Sequence, residues 1–119
     1  MTFQENLKAR TKQIGLEIIQ MVDELPHKPA AWMLSKQILR SSTSIGANYR
    51  AACRAKSTAD FINKLKIVEE EADETIYWLE ILSDAGLVTS VRTEKVLKDT
   101  AEILAIIVTS IKTTRGRST

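Results

Sequence analysis

Cysteine, histidine, proline and glycine are all scarce in this 119-residue chain, which has one, one, two and four of them. A single cysteine, Cys53, excludes an intrachain disulfide. It falls near the apolar side of a helical stretch, which reads as a small buried side chain rather than a nucleophile. So few prolines and glycines favour long helices over many short turns. The lone histidine, His27, sits between two prolines in a loop and has no partner pattern for general acid–base work. No apolar run approaches the ~18 residues of a membrane span, and the strongly apolar stretch 103–108 is too short. The N-terminal region lacks a charged-then-apolar leader, since Glu17, Gln20 and Asp23 interrupt its first apolar stretch. The expectation is a cytoplasmic protein with no membrane association.

Acid is also missing where it would be informative. No Asp or Glu occurs between Leu25 and Ala59, while residues 28–56 carry six Lys or Arg. Residues 60–80 invert the balance, with seven acids against two lysines. The net charge of +2 hides this asymmetry, and the asymmetry says more about partners than the net value does. At about 100° per residue, Lys36, Arg40, Arg50 and Arg54 share one narrow arc of a helix. Leu34, Ile38, Ser42, Ile45, Tyr49 and Ala52 take the opposite side. One face seeks a core, and the other presents cations that nothing on its own helix neutralises. Such a face suits an anion, with nucleic acid foremost.

Hydrophobic periodicity divides the chain into four helices, enough for one domain with a single core. The first covers 3–24, with Leu7, Ile14, Ile18, Met21 and Leu25 on its stripe. It ends where Pro26 and Pro29 disfavour helix. The second covers 30–55. Its run Ser41-Ser42-Thr43-Ser44-Ile45-Gly46-Ala47 has poor intrinsic propensity, but the apolar face stays in phase and small residues permit close helix packing. The run lacks the glycine spacing and lysine of a P-loop. The third helix begins at Ser57 or Thr58, with Asp60 in a capping position. Phe61, Leu65, Val68, Ala72, Thr75, Leu79 and Leu82 then alternate steps of four and three, a heptad seam of the bundle kind. Ile62, Ile67, Ile76 and Trp78 lie outside that seam and are suited to a second surface. Gly86 fits a left-handed helix terminus. The fourth helix covers 93–113. Short joints between long helices imply an all-α, antiparallel up-down-up-down four-helix bundle over 1–114, followed by a frayed basic tail, 115–119.

Residues 39–50 (LRSSTSIGANYR) resemble the central signature of a bacterial four-helix-bundle family. Residues 57–65 (STADFINKL) and 71–82 (EADETIYWLEIL) are similar to its next two blocks. The family includes proteins encoded within intervening sequences of 23S ribosomal RNA genes. It is related to the accessory variability protein of diversity-generating retroelements. The resemblance implies a ring-like homopentamer and, in the retroelement branch, binding to RNA and a reverse transcriptase.

No dinucleotide fingerprint, zinc spacing or nucleophile–base pattern is present, so no catalytic residue and no cofactor are expected. Glu69, Glu70, Glu71, Asp73 and Glu74 form a dense acidic cluster. A solvated face, or pairing with a neighbouring protomer's cations, outweighs a metal site there, and no metal is expected. Trp32, Tyr77 and Trp78 are suited to base stacking, but packing in a core or interface weighs more for each. Two readings remain for the basic arc. One is a non-enzymatic, oligomeric nucleic-acid-binding or RNA-chaperoning protein that uses Lys36, Arg40, Arg50 and Arg54, with a nucleic-acid-processing protein as a candidate partner. The other is a protein-interaction scaffold whose charged faces only assemble its own subunits.

Overall fold

A computed structural model describes residues 1–118. Its four helices are α1 (Phe3–Asp23), α2 (Pro29–Cys53), α3 (Thr58–Asp84) and α4 (Ser90–Ser118), with no strand among the described residues. They form a four-helix bundle of about 50 × 24 × 20 Å. The helices pack in sequence around a square: α1 on α2, α2 on α3, α3 on α4. The α4–α1 seam is the lightest of the four, and the diagonal pairs stay apart.

Local chemistry sets the helix ends. The Thr2 hydroxyl accepts from Glu5 N at 3.1 Å, and the Glu5 carboxylate accepts from Thr2 N at 3.3 Å. This reciprocal capping box satisfies two otherwise orphaned donors at the start of α1. Ser57 caps α3 by accepting from Asp60 N at 3.1 Å. At the other end of α3, Gly86 N donates to the Ser83 carbonyl and Leu87 N to the Leu82 carbonyl. That Schellman pattern needs a left-handed residue after the cap, and Gly86 supplies it with φ +73°.

The fourth helix departs most from expectation. It starts three residues earlier than the apolar stripe predicts, because Thr89 Oγ1 accepts from Arg92 N at 3.2 Å and caps the preceding turn. No apolar burial marks that turn, and Val91 is exposed. The helix also runs through 115–118, where a frayed tail was expected. Extending a formed helix adds one hydrogen bond per residue fixed, and Arg115 and Arg117 in its last turn favour the negative dipole end. Thr119, also assigned to that tail, lies outside the described residues.

The heptad seam is the core side of α3. Leu65, Val68, Ala72, Thr75, Leu79 and Leu82 are all buried, and Phe61 is half-buried at its start. They meet Leu7, Ile14, Ile18 and Met21 from α1, Ile38 and Ile45 from α2, and Val96, Ile103 and Ile107 from α4. Ser41, Ser42, Thr75 and Thr100 are buried hydroxyls. Each lies within hydrogen-bond reach of a carbonyl in the preceding turn of its own helix, so burial leaves no polar atom unpaired. One pair also crosses between helices: Thr75 Oγ1 lies 2.9 Å from Ser41 Oγ.

The small-residue run of α2 is helical throughout, as its unbroken apolar phase predicts. A Cβ on Gly46 would come within 3.4 Å of Lys12 N and Thr11 C, and one on Gly15 within 3.6 Å of Thr43 Cγ2. The two glycines let α1 and α2 approach backbone to backbone.

Candidate nucleic-acid interface

That close approach shapes a concave feature of the surface. A groove of about 680 Å³ runs between α1 and α2, over Gly15 and Gly46. Lys8 and Lys12 line it from α1, Arg50 from α2 and Arg54 from the cap that ends α2, with no carboxylate among its lining residues. None of these four cations takes part in an ion pair among the described residues. Leu16 and Ile19 also line the groove and are 45% and 41% exposed. The result is a partly apolar trough with an all-cationic end.

The four residues of the expected stripe fall in different surroundings. Arg50 and Arg54 turn toward α1 and enter the groove. Arg40 lies ten residues before Arg50, which rotates it about 80° around the helix, toward α3. There its guanidinium is held by Glu71 at 3.0 Å and by Glu74. The Arg40 hydrogen bond, and then that of Trp78 Nε1 at 3.1 Å, draw the Glu74 carboxyl below its ordinary pKa. The same pairing raises Arg40. Lys36 stands with its ammonium 3.5 Å from the Trp32 ring centroid, a cation–π contact at the opposite end of α2 from Arg54.

Two contributors escaped the sequence reading, Lys8 and Lys12. An arc drawn on one helix cannot reveal what its neighbour adds. The available signal was the stretch from Asn6 to Leu16, which has three cations and no acid, opposite a small residue on each helix.

The acidic cluster is divided by the fold. Glu71 and Glu74 serve Arg40, and no group of three His, Cys, Asp or Glu residues suited to a metal exists among the described residues. Cys53 is half-buried. It neighbours Tyr49, whose phenol is pushed up first by burial and then by Cys53. His27 is exposed in the α1–α2 joint. Among the described residues no helix is long and apolar enough to cross a membrane.

Fold and surface together define a small all-helical bundle with a cationic trough between its first two helices. The family model described as 23S rRNA-intervening sequence protein matches residues 5–109, and the chain belongs to that family. A crystal structure of a protein of unknown function from the S23 ribosomal protein family, from Bacteroides thetaiotaomicron, is 42% identical. The match covers 89% of this chain and 98% of that one, with a TM-score of 0.83. No curated protein matches the chain.

Proposed function

We propose that this protein is a non-enzymatic, cytoplasmic RNA-binding bundle whose α1–α2 groove takes the phosphate backbone. The observation that carries the reading is the set Lys8, Lys12, Arg50 and Arg54, gathered along an acid-free groove and left without counter-charges. Long cations without a base-reading motif make phosphate contacts, so binding is weakly sequence-specific and falls with salt. Lys36 extends the basic line along α2, whereas Arg40 clasps α3.

We further infer an antiparallel up-down-up-down arrangement assembled as a ring-like homopentamer. The ion pairs Arg10–Glu102, Glu17–Lys95 and Glu24–Arg92 support the first part, because numbers rise on α1 as they fall on α4. The α1–α2 contacts 15 with 43 and 12 with 46 run the same way. Outside the seam of α3, Ile67 and Tyr77 are exposed and Trp78 is only half-buried, which suits a contact between subunits. Repetition around a ring lets weak contacts act together on one RNA.

Binding of single-stranded and structured RNA, titrated against salt, tests the reading. Each single-strand phosphate neutralised contributes about −0.7 to the slope of log affinity against log salt. Arg50→Gln with Arg54→Gln should flatten the slope, and Arg40→Gln should leave it unchanged. Failure of the wild-type protein to bind at low salt overturns the proposal. That outcome favours a scaffold whose charges serve assembly, a use to which Arg40, Glu71 and Glu74 are already put within one subunit.

A further inference from the structure

Trp32 takes no part in the packed core. Among the described residues it is one of the most exposed large apolar side chains, at 63%, and Met33 beside it is 55% exposed. Lys36 sits against one face of the ring, and the rest of the indole is open to a partner. The ring's position is specific. Trp32 and Arg50 are eighteen residues apart, five full turns, so they lie on one line along α2, about 27 Å from end to end. Lys36 and Arg54 repeat the same spacing one turn further on. Trp32 also borders a second hollow between α1 and α2, of about 480 Å³, together with Pro26, His27 and Lys28. One turn of α1, from Ile19 to Val22, separates this hollow from the cationic groove. Asp23 is the single carboxylate lining it.

We infer that the α1–α2 face is a single-strand site, in which Trp32 stacks on an unpaired base while Lys12, Lys8, Arg50 and Arg54 hold the phosphates downstream. This rests on the RNA-binding reading above and narrows it to unpaired RNA. An aromatic face and a basic track are the two elements by which proteins bind single strands without reading sequence. A duplex keeps its base faces stacked inward and presents only backbone and base edges to such a surface. Lys36 contributes twice. Its ammonium fixes the ring from one side, and it places a cation beside the stacked nucleotide. The small floor residues Gly15, Thr43, Gly46 and Ala47 keep the trough between the two ends low enough for a chain to lie along it.

The test uses the intact protein, a labelled oligouridine of roughly 12 nucleotides, within the range of such sites, and an RNA duplex of equal length. Wild-type tryptophan emission should be quenched by the oligouridine, and Trp32→Phe should remove that quenching. Trp32→Ala should weaken oligouridine binding on the order of 10- to 100-fold, the range set by one stacked base. Trp32→Phe should recover most of the affinity. Duplex binding and the salt slope should stay as in the wild type. Equal oligouridine affinity in wild type and Trp32→Ala, with the slope intact, overturns the single-strand site and leaves phosphate binding standing. Loss of oligomer in Trp32→Ala with RNA binding preserved also overturns it, by assigning the ring to a second copy of the chain. Absence of binding to either RNA removes both readings. Trp32 is exposed, so the variants keep the fold, which the thermal transition verifies.

Discussion

Substitution of Gly46 measures how tightly α1 and α2 are pressed together. In isolation a helix gains from losing an interior glycine, by about 1 kcal/mol for alanine and less for valine. At Gly46 that gain meets an obstacle. The new Cβ lies 3.4 Å from Lys12 N and Thr11 C and 3.5 Å from Lys12 Cα, all backbone atoms that no rotamer change can move. Alanine sits at the van der Waals limit, so gain and crowding should cancel to within about 0.5 kcal/mol. Valine adds two γ carbons and is stiff at χ1 in a helix, which leaves it the fewest ways around the obstruction. Overpacking of this kind costs about 1–3 kcal/mol, for a net loss of about 1–2 kcal/mol. Gly15 is the internal control. Its nearest foreign atoms are at 3.6 and 3.7 Å, an ordinary contact distance. Gly15→Ala should therefore stabilise by about 0.5–1 kcal/mol. Urea unfolding with a common m-value resolves the order Gly15→Ala, wild type, Gly46→Val. The spread corresponds to several degrees in Tm for a chain of this size. Equal gains at both glycines would refute the close approach, and with it the shape of the groove.

Leu65→Ala or Leu79→Ala should each lose about 2–5 kcal/mol, since both side chains are essentially inaccessible and leave a cavity. A loss under about 0.5 kcal/mol at both would mean the α3 seam does not face the core. Acid should weaken the Arg40 clasp in a defined direction. Glu74 is held below its ordinary value of 4.5 by Arg40, so the pair stabilises the fold above that pH and stops doing so as pH falls through the lowered value. The stability gap between wild type and Arg40→Gln should therefore narrow between about pH 5 and pH 3. A constant gap from pH 7 to pH 3 would show that the pairing does not contribute.

Much of this fold was legible because its signals are periodic and local. The Phe61-to-Leu82 seam, the proline-flanked joint after Leu25, the Ser57 cap and the Gly86 terminus each follow from a few neighbouring residues. The α4 boundaries were not legible, because the turn added at Ser90 is set by a Thr89 cap rather than by burial, and the last turns bury little beyond Ile111. The basic face was half legible. Charge absence and helical phase located Arg50 and Arg54, but phase on one helix cannot say which neighbour stands on either side. Arg40 and Arg50 are separated by a modest rotation, and that rotation gives one to the carboxylates of α3 and the other to the lysines of α1. Lys8 and Lys12 enter only through the α1–α2 register, which Gly15 and Gly46 fix at a distance of some thirty residues in sequence.

The α4–α1 seam gives that register a further consequence. It has the lightest packing in the bundle and is bridged by Arg10–Glu102 at 2.9 Å, Glu24–Arg92 at 2.8 Å and Glu17–Lys95. These are surface pairs, individually weak and screened by salt. The helix they fasten, α1, is also one wall of the trough. Ionic strength therefore acts on α1 from both sides, on the ion pairs that tie it to α4 and on the cations Lys8, Lys12, Arg50 and Arg54 along the trough. Added salt should thus loosen the α4–α1 edge and lower the potential of the trough together, while the α1–α2 edge, held by backbone approach at Gly15 and Gly46, should not respond to it.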